Sequence, residues 1–513
     1  MDLSGRTGKV YIVGAGPGGH DLLTLRAKDL LQETDLVLID PMVDNRVLRY
    51  VRAGAELINV GEIAGGGLPT QMEINDLLIE HASQGKTVTY LKNGDPFVMG
   101  RGEEVVEALA KVSVLFEVVP GVSSAIAVPA YAGIPLTYPG VASSFTVVSG
   151  NEDPSIEEAL IDWHALAKGV GTLIVLMGWE SLPGIVDTLL TEGMDTSTPV
   201  ALIERGTEPR QRTVVSTVRE IVLKGRQAGL RPPVVAIFGQ VVALRDRMRW
   251  YDNQPLSGRR VVVTRSSAQA GELTDLLARE GAEPLELPCI EVHPLEDDAP
   301  LREAAKNLGS YNWVVFTSTN AVEALWSVLK SGGMDARAFG GVRVAAIGPV
   351  TSKSLAARGI IADYVPMHYI AEALLEGLTA HVHFGDRVLV PGAEGARGVL
   401  VEGIRSLGVT VDALVAYHTR LPQGLGDCAR RLFKEGRVDV VTFASSSAVR
   451  NLVAKLQGEV HLLDSTVLAC IGTATAETVE ELGLKVDVQA REHTLSGLVD
   501  AIKDYFALGS QIE

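Results

Sequence analysis

Short apolar runs rich in β-branched residues recur along the chain, separated by stretches whose apolar positions fall at helical spacing. In the first half, the runs at 10–13, 36–39, 87–91 and 173–177 predict buried strands, and 22–32 predicts a helix between the first two. A second series begins after residue 257. Segments 260–264, 313–317, 343–347, 387–390, 438–443 and 467–471 are strand-like, and most lead through a Gly-, Ser- or Thr-rich turn into a helix. Such alternation predicts α/β layers on largely parallel sheets. Between the two series lies YDNQPLSG, residues 251–258, which is polar and carries Pro255 and Gly258. The main boundary is expected there, with 1–250 and 258–513 as domains and 251–257 as a linker. No low-complexity tract and no clear short repeat stands out.

A chain of 513 residues is too long for one core. At about 150 residues per domain it divides into three or four compact units. The net charge of −17 repels a long polyanion, which argues against a nucleic-acid partner, although a few local arginines can still hold a small anion. Cys289, Cys428 and Cys470 are far apart and form no CxxC, so neither a disulfide framework nor a cysteine zinc site is expected, and a reducing compartment fits. The opening MDLSGRTGKVYIVGAG enters a strand without an apolar leader. No apolar stretch approaches the roughly 18 residues of a membrane span. A soluble, cytoplasmic protein without a membrane partner is expected.

Gly14-Ala15-Gly16-Pro17-Gly18-Gly19 satisfies G-x-G-x-x-G after the first strand, and Asp40 ends the next. Alone, this admits an NAD-binding oxidoreductase or merely a tight strand-to-helix turn. Later segments narrow the choice. They are Leu91-Lys92-Asn93-Gly94-Asp95-Pro96-Phe97-Val98, Val119-Pro120-Gly121-Val122-Ser123-Ser124, Leu176-Met177-Gly178 and Glu204-Arg205-Gly206-Thr207. In this order they resemble the S-adenosylmethionine-dependent tetrapyrrole methylases, most closely uroporphyrinogen-III C-methyltransferase, over roughly residues 8–250. The resemblance implies two α/β lobes with S-adenosyl-L-methionine in the cleft between them. It places Pro17, Asn93, Gly94, Asp95, Val98, Ser123, Ser124, Met177 and Gly206 at the cofactor, Arg101 at the substrate, and Asp40 as the candidate base. It also implies a homodimer through this half. The chain departs from the family at Pro41, Glu62, Ile63, Tyr138 and Pro139, where positive charge and a His are lost from the substrate side.

Residues 258–513 contain no nucleophile–His–acid set and no metal-ligand spacing. What recurs is a strand followed by a donor-rich turn, at Thr264, Thr317, Gly348, Gly392, Ala444 and Gly472. Any one could be an N-cap; six in series predict a cleft lined for carboxylates. With Leu287-Pro288-Cys289-Ile290-Glu291 and Val415-Ala416-Tyr417-His418-Thr419, these turns resemble uroporphyrinogen-III synthase. The resemblance implies two α/β lobes, 258–292 with 420–513 and an inserted 293–419, that close hydroxymethylbilane while inverting its last ring. Tyr417 is then the candidate for assisting hydroxyl loss, with an interface tyrosine as the plain alternative. Thr351, Thr475, Ser318, Ser446 and Arg265 are expected at substrate carboxylates. The whole reads as an α/β fusion that makes uroporphyrinogen III and methylates it to precorrin-2. The alternative is a working synthase carrying a methylase domain that is inactive or acts on another tetrapyrrole.

Overall fold

The run that follows Gly8 is apolar without alternation because both of its faces are covered. It forms β1 (Lys9–Gly14), joined in one sheet by β2 (Leu36–Ile39), β3 (Glu56–Asn59), β4 (Thr87–Lys92) and β5 (Leu115–Val119) in the order β3-β2-β4-β1-β5, all parallel. Val10, Ile12, Leu36, Leu38 and Tyr90 pack with Leu78, Val105 and Leu109 on one side, while Val13, Val37, Ile39 and Leu91 pack with Ala27 and Leu30 on the other. The helix predicted at 22–32 begins only at Leu25 (Leu25–Leu31). Thr24 caps it, its hydroxyl accepting the Ala27 N–H at 3.2 Å, and His20–Leu22 forms a separate 3-10 turn.

The computed structural model describes residues 8–62, 69–151, 160–394, 398–434 and 438–509. The chain divides into two compact units, one reaching Gly258 and including Glu280–Glu283, the other Arg259–Arg279 and the chain from Pro284 onward. Segment 251–257 is no loose tether. Tyr251 is buried, its ring 4.9 Å from that of Tyr131, and Asp252 pairs with Arg245.

The first unit's second sheet holds β6 (Phe145–Ser149), β7 (Thr172–Leu176), β8 (Pro199–Glu204), β9 (Arg212–Thr217) and β10 (Val234–Phe238) in the order β6-β7-β10-β8-β9. Here the expectation of largely parallel sheets fails: only β6 and β7 run parallel. The link from β8 to β9 is too short for the dozen or so residues a parallel crossover needs.

The second unit opens with β11 (Arg260–Val263) and β12 (Glu283–Glu286), continues through β13 (Glu291–Pro294), β14 (Trp313–Phe316), β15 (Arg343–Ala346), β16 (Arg387–Ala393) and β17 (Thr410–Arg420), and ends with β18 (Val440–Phe443), β19 (Val467–Cys470) and β20 (Val488–Gln489). The sheets are β12-β11-β18-β19-β20 and β13-β17-β16-β14-β15, so the second lobe is inserted into the first. The chain enters and leaves that lobe along the antiparallel pair β13–β17. The lobes also share a repeat that corrects the reading of the sequence as repeat-free: FTSTNAV at 316–322 matches FASSSAV at 443–449, and IGPVT at 347–351 matches IGTAT at 471–475. Among the described residues no helix is long and apolar enough to cross a membrane.

Candidate functional sites

Three loops meet backbone to backbone at the C-terminal ends of β1, β4 and β5. A Cβ built on Gly14 would lie 2.5 Å from Gly121 Cα and 2.6 Å from the Gly94 carbonyl oxygen, and one on Gly121 would run into that same oxygen. Glycine is therefore required at 14 and 121 by close approach. The Ala15 N–H donates to the Lys92 carbonyl at 2.8 Å, and the Gly94 N–H to the Gly16 carbonyl at 2.7 Å. Pro17 is buried in this loop, and the Gly19 N–H donates to Thr207 Oγ1 at 3.4 Å. The loop thus leans on the second lobe instead of opening a helix onto a pyrophosphate, which counts against the dinucleotide reading.

Around this cradle, Asp95 accepts the Phe97 N–H at 2.8 Å through Oδ1 and the Gly121 N–H at 3.0 Å through Oδ2, so its carboxylate ties the 93–97 turn to the neighbouring loop. Asn93 is half-buried beside it. Ser123 caps the helix Ser124–Tyr131, accepting the Ala125 N–H at 3.3 Å. A Cβ on Gly94 would meet only the Ser124 nitrogen, at 3.9 Å, so packing leaves room on this side of the glycine. Val98 and Met177 are 40% and 47% exposed. Gly206 is explained by packing, since a Cβ there would run into Val128. Sequence reading missed one further mark: Met99, Arg101, Met177, Arg205 and Thr207, all in loops after β4, β7 and β8, have positive φ. Each such residue costs roughly 1–3 kcal/mol and persists only where its surroundings enforce it.

Asp40 follows β2, with Oδ1 accepting the Met42 N–H at 3.2 Å, and Pro41 packs on Gly61. Ile39 pairs with Leu91, so Asp40 and Lys92 continue side by side on the same sheet. Lys92, to which the sequence motif assigns no role, is buried. Its amine donates to the Tyr90 hydroxyl at 3.2 Å and lies 4.3 Å from that ring's centroid. Burial pushes its pKa below the ordinary 10.5, against the opposing pull of Asp40. The folded chain therefore gives up this proton before the unfolded chain does, and stability rises with pH between the lowered value and 10.5. Lys92→Met is expected to flatten that rise. Urea titrations of both proteins at neutral pH and near about pH 10 check it, and the same rise in both would rule out Lys92 as its source.

Arg101 is bound to Glu104, with Nη2 2.8 Å from Oε2, and that bond raises its pKa; a substrate carboxylate would have to compete with Glu104. Tyr138 is half-buried, its backbone N–H bonded to the Ala142 carbonyl, and Pro139 is exposed beside it. The side chain of Glu62 and all of Ile63 lie outside the described residues.

In the second unit, strand ends of both lobes enclose a cleft of about 270 Å³, lined among others by Thr264, Arg265, Gln269, Asn320, Tyr417, Ser445 and Ser447. Partial burial lowers the pKa of the Arg265 guanidinium, and among the described residues it forms no ion pair. Its guanidinium donates to Gln269 Oε1 at 3.4 Å; Gln269 in turn donates to Asn320 Oδ1 at 2.7 Å across the lobes. Tyr417 is aimed inward by a β-bulge: β16 and β17 slip register between Gly392 and Ala393, so Ala416 and Tyr417 are buried in succession. The Tyr417 hydroxyl lies 3.1 Å from Ser318 Oγ.

Of the residues expected at substrate carboxylates in this unit, Arg265 lines the cleft, whereas Ser318, Thr351, Ser446 and Thr475 do not. Ser446 donates to the Ala474 carbonyl at 2.9 Å. Thr351 and Thr475 are buried in the first turns of their helices, and the turns before them are covered by Tyr369 over Gly348 and His493 over Gly472. Ser445 and Ser447 take the places expected of Ser446. The repeat was the signal that could have found them, because it aligns Ser445 with Ser318 and Ser447 with Asn320. Residues 395–397 of the turn after β16 lie outside the described residues. Among the described residues no group of His, Cys, Asp and Glu could hold a metal ion.

A glycine cradle on parallel strand ends in one unit, and a donor-lined cleft between inserted lobes in the other, define a fusion of two α/β small-molecule enzymes. A family model described as tetrapyrrole (corrin/porphyrin) methylases matches residues 9–222, and one described as uroporphyrinogen-III synthase HemD matches 271–500. The chain belongs to the HemD porphyrin-biosynthesis proteins, its first half a tetrapyrrole methylase and its second a uroporphyrinogen-III synthase. It is 34% identical over 495 residues to the porphyrin biosynthesis protein HemD of Ruminiclostridium josui, covering 96% of this chain and 97% of that one. It is 45% identical over 244 residues to the S-adenosyl-L-methionine-dependent uroporphyrinogen III methyltransferase of Methanosarcina barkeri, covering 48% of this chain and 96% of that one. A solved uroporphyrin-III C-methyl transferase from Thermus thermophilus, complexed with S-adenyl homocysteine, is 40% identical over 46% of this chain and 93% of that chain, with a TM-score of 0.39.

Proposed function

We propose that the second unit closes hydroxymethylbilane to uroporphyrinogen III with inversion of the last ring, and that the first unit methylates this product to precorrin-2, both in the cytoplasm. The observation that carries the reading is the inter-lobe cleft, where Arg265, half-buried and without an ion pair among the described residues, faces the same space as Tyr417. Arg265 offers a charged fork to a substrate carboxylate, and Gln269, Asn320, Ser445 and Ser447 offer neutral partners. Hydroxymethylbilane also closes unaided without inversion, so the cleft's main work is to hold the chain where the inverted closure is nearer. Tyr417 hands a proton to the departing hydroxyl, whose C–O electron pair leaves on oxygen as water forms. The proton lost when the ring closes restores the phenol.

In the first unit the residues present fit S-adenosyl-L-methionine. The room beside Gly94, with Ser123 and Ser124, suits its polar end, and exposed Val98 and Met177 suit its apolar edges. When bound, this group supplies a methyl cation equivalent from a sulfonium. Asp40, at the same strand ends, receives the proton the macrocycle gives up. Ile126, Phe145 and Trp250, each more than 40% exposed, support a homodimer through this half. A monomer in sedimentation would remove that reading.

Anaerobic incubation of the protein with uroporphyrinogen III and S-adenosyl-L-methionine, followed by mass spectrometry, tests the methylase assignment, and two added methyl groups are the expected result. The Arg101–Glu104 pairing favours a second reading, a working synthase whose methylase half is silent or serves another tetrapyrrole. An unmethylated product alongside active closure of hydroxymethylbilane would establish it.

A further inference from the structure

The Ser318 hydroxyl is engaged twice. It caps the helix Thr319–Ser331, accepting the Ala321 N–H at 3.1 Å, and it lies 3.1 Å from the Tyr417 hydroxyl. The repeat supplies a comparison within the same chain. Ser445 caps Ser446–Leu456 in the same way, yet its hydroxyl meets Ser447, also at 3.1 Å, and no tyrosine. A serine meant for a substrate carboxylate would present its hydroxyl to the cleft. Ser318 turns instead to the phenol that the β-bulge has swung inward. A hydroxyl oxygen that already accepts an N–H at a helix start becomes a stronger donor of its own hydrogen.

We infer that Ser318 is a positioning residue of the synthase reaction, donating its hydroxyl hydrogen to the Tyr417 oxygen so that the phenol's own hydrogen points into the cleft. This rests on the reading of Tyr417 as proton donor. A phenol hydrogen has two in-plane orientations, and accepting a bond on one side leaves it on the other. Ser318 itself neither gains nor loses a proton. The phenol proton leaves with the hydroxyl oxygen as water, and the proton released on closure returns to Tyr417.

Steady-state rates on hydroxymethylbilane, with the ratio of inverted to non-inverted product and a thermal melt, test this in Ser318→Gly, Ser318→Asp, Tyr417→Phe and the double variant S318G/Y417F. Glycine is tolerated at an N-cap, and the backbone here is extended at φ −162°. S318G is expected to lower kcat ~10-fold, the loss of one hydrogen bond, and to leave KM unchanged. S318D keeps the cap but can only accept, so it turns the phenol hydrogen away from the cleft; its kcat should fall at least as far while the helix stays formed. The double variant should be no slower than Y417F alone, because without the phenol nothing remains to position. A raised KM at unchanged kcat in S318G would overturn the inference in favour of a carboxylate contact. So would a wild-type kcat in S318D, or losses that multiply in the double variant. Wild-type kcat in Y417F would instead overturn the Tyr417 reading beneath it.

Discussion

Gly121→Ala is expected to abolish cofactor binding in the first unit while closure of hydroxymethylbilane by the second proceeds at the wild-type rate. The added methyl group would run into the Gly94 carbonyl and crowd Gly14 Cα, all backbone atoms that cannot rotate aside. Overpacking of this kind costs about 1–3 kcal/mol. The larger effect is geometric. Gly14, Gly94 and Gly121 bring three strand ends together, and Asp95 links two of these loops through the Gly121 N–H. A displacement of about 1 Å at a positioned site can cost ~100-fold in rate. Titration calorimetry with S-adenosyl-L-homocysteine, run beside both activity assays, reads the outcome. Undiminished binding by G121A would mean that these glycines serve the sheet alone.

The second large effect falls on Tyr417. Tyr417→Phe keeps the ring in its buried site and removes only the hydroxyl, so the fold should lose about 1 kcal/mol, the worth of one hydrogen bond. A group that donates a proton in the transition state contributes ~100-fold or more. The expected result is therefore a kcat lowered by that factor in a protein that melts close to the wild type, with a larger share of the non-inverted macrocycle escaping. An ordinary interface tyrosine predicts the reverse, with activity kept and stability reduced. Stopped assays with product separation distinguish the two.

The sequence disclosed most where both faces of an element are buried. Segments 36–39 and 313–316 are unbroken apolar runs because helices or loops cover both sides, and they form strands where expected. The edge strand Glu56–Asn59 is half open to solvent and shows no such run, so nothing marked it. Direction was less legible than existence: β9 runs back along β8 because the link between them is short, which apolar content does not encode. The sites followed the same division. Gly14 and Gly121 stood out as residue types, but their need for one another comes from a contact between distant loops. Positive φ at Met177 is a tertiary constraint on a residue that ordinarily avoids it. At 445–447 the three serines look alike in sequence, and only the helix start decides that Ser445 caps, Ser446 turns to the Ala474 carbonyl and Ser447 lines the cleft.

The antiparallel pairing of β13 with β17 sets Glu291 against Arg420 and Pro294 against Tyr417. Opposed positions in such a ladder stand only about 5 Å apart. The inserted lobe is thus attached like a cassette, with its two ends on neighbouring rungs. A hairpin of two residues could in principle close that gap, and the lobe of a relative could be transplanted there by matching a single register. The same ladder carries Tyr417, so any such exchange would carry this tyrosine with it.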